Sequence, residues 1–157
     1  MELRTILGEI MNINRSLKKQ SIPVLKKKLD KVFSEFIRRR DAVLDGTMDN
    51  AGLPGPVDYC VCITCGTIAH WKSMDNGHYI KRQYMATRYD EKNCNCQCRS
   101  CNWLEQGANE KYKVAIDKKW GAGTVKDLEM KKHNKVKWTA WEYETLIKYY
   151  QDKIKGM

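Results

Sequence analysis

Cys62-Ile63-Thr64-Cys65-Gly66 and Cys98-Arg99-Ser100-Cys101-Asn102 are two Cys-x-x-Cys pairs with 32 residues between them, and their reading decides the fold. A tight turn aims both sulfurs of one pair at a single ion, and two pairs complete the four-thiolate tetrahedron of closed structural zinc sites. Cys62, Cys65, Cys98 and Cys101 are therefore the expected structural zinc ligands. Gly66 suits such a knuckle, whose backbone often needs a positive φ. A redox disulfide is the rival for either pair alone, and two pairs together disfavour it. Cys60, Cys94 and Cys96 alternate with the ligand cysteines in strand-like register, so they are expected as small buried apolar residues, with Cys60 or Cys96 as an exchanged ligand the lesser alternative. Ordinary zinc ribbons place about 15 to 20 residues between their pairs, so a spacer of this length carries an insertion.

The insertion holds Met74-Asp75-Asn76-Gly77-His78-Tyr79-Ile80 and Arg88-Tyr89-Asp90-Glu91-Lys92-Asn93, and Asn102 follows the last ligand cysteine. The order His, Asn, Cys-x-x-Cys-Asn is the HNH pattern. Neutral imidazole accepts a proton near pH 7, which suits His78 to act as a base. An amide oxygen is a hard ligand for magnesium or manganese, and zinc on Cys101 would fix the position of Asn102. Lys81, Arg82 and Arg88 flank these residues as candidate phosphate contacts, a weak signal because exposed basic residues are common. His70 and His133 have no partner at a useful spacing.

Through Gly77-His78-Tyr79, Asn93, Gln97-Cys98, Cys101-Asn102 and the tail around Tyr112, the chain resembles the phage lambda NinG (Rap) recombination endonuclease family, most closely over residues 60 to 120. It is also similar to phage resolving endonucleases in which Asn follows the last zinc cysteine. The resemblance implies an HNH, or ββα-metal, nuclease that hydrolyses branched recombination intermediates such as Holliday junctions and D-loops, acting as a homodimer in the bacterial cytoplasm. It implies that Asn93 braces the loop carrying the His. Many HNH sites have Asp directly before the catalytic His. Here, as in the family, Gly stands there, which leaves Asp75 as the expected second ligand of the catalytic metal and Asp90 in reserve. The alternatives are a nonspecific or nicking HNH nuclease and a noncatalytic zinc module that only binds DNA.

Around this core the chain is helical by pattern. Leu25, Leu29, Val32, Phe33 and Phe36 recur at steps of three and four over residues 21 to 44, with Ser21 as the cap and Pro23 in the first turn. The Lys and Arg residues of that helix fall largely on its other face. A shorter helix is expected over residues 1 to 20, and a linker over 46 to 56, where three Gly and two Pro break any periodicity. Asn109 to Trp120 reads as a helix stopped by Gly121. Thr124 with Asp127, and Thr139 with Glu142, have capping-box spacing. Trp141, Leu146, Ile147, Tyr150 and Ile154 mark an apolar stripe on the last helix. The expected organisation is a basic helical arm (1–50), an α+β zinc-stapled nuclease core (51–121) and C-terminal helices (122–157).

The net charge of +10, from 29 Lys and Arg against 19 Asp and Glu, favours a polyanionic partner, with DNA foremost. No apolar run approaches the ~20 residues needed to span a bilayer and no signal-peptide core is evident, so a cytoplasmic protein without a membrane partner is expected.

Overall fold

The computed structural model describes residues 20–42, 58–104 and 109–157. The helix expected over 1–20 and the linker over 46–56 lie outside the described residues, except for residue 20. Helix α1 runs Ile22–Arg40 with Ser21 at the cap position, although its side chain makes no capping bond, and Pro23 sits in the first turn where its missing N–H costs nothing. The apolar face is the expected one: Leu25, Leu29, Phe33 and Phe36 are buried, joined by Ile37, and Val32 packs partly against them.

Two short hairpins carry the cysteines. Strands β1 (Tyr59–Val61) and β2 (Ile68–His70) pair antiparallel around the first Cys pair. Strands β3 (Asp75–His78) and β4 (Cys94–Gln97) pair antiparallel with Asp75 opposite Gln97 and His78 opposite Cys94. Between them lies a one-turn helix α2 (Met85–Arg88). Every residue of β4 is fully buried. A strand so enclosed must satisfy its polar side chains internally. Asn95 does so by accepting from Lys119 at 2.9 Å and donating to the Tyr112 hydroxyl at 3.3 Å.

Helix α3 (Asn109–Trp120) ends at Gly121, whose φ of +103° is the left-handed turn expected there. Helix α4 spans Thr124–Lys131 and α5 spans Ala140–Lys155. The capping box of Thr139 and Glu142 forms as expected. The Thr124–Asp127 box does not. Gly123, at φ +93°, takes the cap position, which puts Thr124 inside the helix, and the Val125 N–H is satisfied from outside by the Asp117 carboxylate of α3 at 2.9 Å. On α5 the stripe is also shifted: Tyr143, Ile147 and Tyr150 are buried, while Trp141 is 72% exposed.

Three apolar clusters hold these parts together. In the first, α1 packs along α5, and Phe33 meets Tyr89 and Tyr150 edge-on at centroid distances of 5.5 and 4.9 Å. Edge-to-face pairs suit the ring quadrupoles and add about 1 kcal/mol beyond area burial. The second surrounds the cysteines with Trp71 and Met74. The third packs Ile80, Tyr112, Ile116, Val125 and Leu128 beneath the segment that follows β3. Among the described residues, no helix is long and apolar enough to cross a membrane.

Candidate functional site

The first Cys pair is shaped by a knuckle in which the Gly66 N–H donates to Cys62 O at 2.9 Å and the Cys62 N–H to Thr67 O at 2.8 Å. Gly66 has φ +77°, the conformation its missing Cβ permits. At the second pair, a wide turn over Ser100–Leu104 is entered with the Asn102 N–H donating to Cys98 O at 3.0 Å. Together they bring the sulfurs of Cys62, Cys65, Cys98 and Cys101 within 4.8 Å of one another. Cys65 and Cys98 are 3.7 Å apart, close to the ~3.8 Å edge of a sulfur tetrahedron built on Zn–S bonds of about 2.3 Å. The donor set fits zinc. A hydrogen bond from the Thr67 side chain lowers the Cys65 thiol to about 6, whereas burial raises the thiols of Cys98 and Cys101 in the absence of a cation. The other three cysteines stand outside the cluster: Cys94 and Cys96 are fully buried, and buried Cys60 donates its S–H to Arg38 O at 3.1 Å.

A cleft of about 560 Å³ opens beside this cluster, lined by Ser34, Asp75, Asn76, His78, Lys81, Arg82, Asn102 and Trp103. Strand β3 supplies Asp75 and His78, and the turn carrying Cys101 supplies Asn102. The Asn102 Nδ2 donates to Asp75 Oδ2 at 3.1 Å, which leaves Asn102 Oδ1 and the second Asp75 oxygen as hard donors. The Oδ1 of Asn76 is buried and has no hydrogen-bond partner among the described residues.

His78 is held by the backbone on both sides of its ring. Nε2 lies 3.0 Å from Arg88 O, and Nδ1 lies 3.3 Å from Asn76 O. Neutral imidazole has one N–H, and the shorter contact places it on Nε2, leaving Nδ1 as the proton acceptor. Burial, reinforced by the positive charges of Arg82 and Arg88, lowers its pKa to about 4, so the ring is neutral at pH 7.

Position 77 is glycine for a steric reason. A Cβ there would fall 2.2 Å from Oε1 of Gln97, whose side chain lies diagonally across the hairpin on the same face. An acid directly before His78 is thereby excluded, and Asp75, two residues earlier on that face of the strand, reaches Asn102 instead.

Of the other residues singled out from the sequence, Asn93 is fully buried and clamps the segment after His78. Its Oδ1 accepts from the Ile80 N–H at 2.7 Å, and its Nδ2 donates to Ile80 O at 3.1 Å and Thr87 O at 2.9 Å. Lys81 and Arg82 are exposed at the cleft. Arg88 is committed elsewhere: its Nε and Nη2 grip the Asp30 carboxylate of α1 at 2.9 and 2.7 Å, and its Nη1 donates to Arg82 O. This places it as a strut rather than a free phosphate ligand. Asp90 pairs with Lys131 and does not line the cleft. Ser34, Asn76 and Trp103 line the cleft without any spacing in the sequence that marks them, and Gln97 stands in the sequence only as part of the family resemblance. Tyr112, noted only as part of the helical tail, donates to Gly77 O at 2.9 Å and anchors β3.

The model of the family described as Bacteriophage Lambda NinG protein matches residues 12–157. The chain belongs to the NinG family. Protein ninG of Escherichia phage 933W is 32% identical over 134 residues, covering 83% of this chain and 57% of that relative. Protein ninG of Salmonella phage P22 and protein ninG of Escherichia phage lambda are each 31% identical over 134 residues, covering 83% of this chain and 56% of each relative. The chain thus spans a little over half the length of these NinG relatives. No solved structure matches it.

Proposed function

We propose that this protein is a metal-dependent DNA endonuclease of the HNH, ββα-metal type, acting on branched recombination intermediates. The observation that carries the reading is the convergence of Asp75, His78 and Asn102 on one cleft with Lys81 and Arg82 beside them, Asn102 following Cys101 of the cysteine cluster. Phosphodiester hydrolysis needs a base on one side of phosphorus and a cation at the leaving oxygen on the other. His78, neutral, takes the proton of the attacking water at Nδ1, the ring nitrogen with the longer backbone contact. The Nε2–H bond to Arg88 O holds the ring in position and stabilises the imidazolium that forms. Asp75 and Asn102 offer hard oxygen donors that would hold magnesium or manganese, which would supply positive charge at the reacting phosphate. Lys81 and Arg82 attract the phosphates, and zinc on the four cysteines would keep Asn102, which follows Cys101, in register with β3.

The preference for branched DNA is inherited from the family resemblance, and a homodimer would supply one site for each strand. The test incubates the zinc-loaded protein with a labelled four-way junction and a linear duplex of the same sequence, with magnesium, with manganese or without either, alongside His78→Ala and Asn102→Ala. Junction cutting that needs metal, His78 and Asn102, with the duplex spared, is the expected result. Cutting of both DNAs alike indicates a nonspecific HNH nuclease. Binding without cutting under every condition leaves a noncatalytic zinc module.

A further inference from the structure

Trp103 follows Asn102 directly and lines the same cleft as Asp75 and His78, yet it is 68% exposed. The environments of the other tryptophans set it apart. Trp71 lies beneath Arg38, Arg39 and Lys72; Trp120 is covered by Arg40 and Lys119; Trp138 packs against Tyr89 and Tyr143. Among the described residues no ring or cation covers Trp103, and Leu104 beside it is 81% exposed. Trp141 is as exposed but stands on α5, away from the cleft. A bare indole therefore stands in the cleft that also holds the cations Lys81 and Arg82. A ligand that satisfies both surfaces presents an anion and an aromatic face together, and a nucleotide does so.

Resting on the reading of this cleft as a DNA site, we propose that Trp103 is a stacking platform for a nucleobase displaced from the double helix next to the phosphate held by Lys81 and Arg82. In continuous duplex each base is already stacked, and reaching Trp103 costs a few kcal/mol of unstacking. A base that is unpaired has already lost that stacking, so DNA with an interruption gains the indole contact at little cost. Trp103 is on this argument a specificity-determining residue: it adds affinity where the helix is broken and little where it is intact.

The test measures binding by fluorescence anisotropy, using the zinc-loaded chain without magnesium or manganese so that no strand is cut. The probes are a linear duplex and the same duplex with three unpaired nucleotides at its centre, one of them 2-aminopurine. Wild type is expected to bind the interrupted DNA more tightly and to quench 2-aminopurine emission. Trp103→Ala weakens that binding about tenfold and abolishes the quench, while duplex binding stays within twofold. Trp103→Phe retains most of both signals, and Trp141→Ala changes neither. Zinc content and melting temperature of each variant report folding. Equal weakening on both DNAs, or no weakening, overturns the proposal while leaving the cleft as a DNA site; a wild-type protein that binds neither DNA overturns both.

Discussion

The side-chain amide of Asn102 donates to the carboxylate of Asp75 across 3.1 Å, joining the turn that carries Cys101 of the cysteine cluster to the strand that carries His78. One hydrogen bond thus links the structural half of the site to its proposed chemical half. Asp75→Asn keeps the shape and removes the charge. Metal-dependent cleavage is expected to fall about a hundredfold while zinc content stays at one per chain. Cleavage assays paired with metal analysis check this, and an unchanged rate would remove Asp75 from the site.

Zinc removal is expected to unfold the cysteine-bearing hairpins. Strands of three or four residues do not by themselves hold the knuckles closed, and structural zinc contributes about 10–16 kcal/mol in peptide-sized domains. Cys101→Ser should abolish stoichiometric zinc and lower the melting temperature by more than about 10 °C, whereas Cys60→Ala should keep its zinc. Loss of zinc in both variants would show that the ligand set is wrong.

If His78 is the base, as proposed, it is expected to set the acid limit of cleavage. Its pKa of about 4, below the ordinary 6.5, means that the base form persists well into acid. The His78-dependent rate should be level from about pH 5.5 to 8 and fall only as pH drops towards 4. Stability follows the same sign. An unfolded His takes up its proton near 6.5 and the folded one does not until about 4, so the fold loses stability as pH falls through that window. A nitrogen-detected NMR titration should show a neutral ring protonated on Nε2 at pH 6; a ring that titrates near 6.5 would contradict the buried site.

Arg88 should matter for folding more than for DNA. Its charge-assisted bonds to Asp30 tie α2 to α1, and bonds of that kind are each worth about 2 kcal/mol. Arg88→Ala is expected to lower stability by at least that amount, and the Asp30→Ala, Arg88→Ala pair to be strongly non-additive. Arg82→Ala should leave stability nearly unchanged and weaken DNA binding in a salt-dependent way. Denaturant melts and binding isotherms separate the two behaviours.

Gly77→Ala would drive a methyl group into the side chain of Gln97 and is expected to cost about 1–3 kcal/mol. Gly77→Asp, which writes the Asp-His pair of many HNH sites, should destabilise further and raise no activity. Gln97→Ala in the Gly77→Ala background should recover part of the loss. An active, stable Gly77→Asp protein would show that the hairpin yields where it is expected to clash.

The sequence by itself determined whatever depends on local spacing. Cys62, Cys65, Cys98 and Cys101 could be assigned together because a knuckle places both sulfurs of a pair within a few residues. The buried face of α1 and the Thr139 cap follow from periodicities that hold within one turn or two. Tertiary structure decided what depends on partners distant in the chain. Asp30 and Arg88 are 58 residues apart, and nothing in either segment announces the other. Thr124 lost its capping role because the preceding glycine turn brought Asp117 to the helix end first. Trp141 fits the apolar stripe by spacing but sits just inside the start of α5, where it remains exposed to solvent. The bareness of Trp103 is likewise invisible in sequence, since exposure is set by what the rest of the chain leaves uncovered.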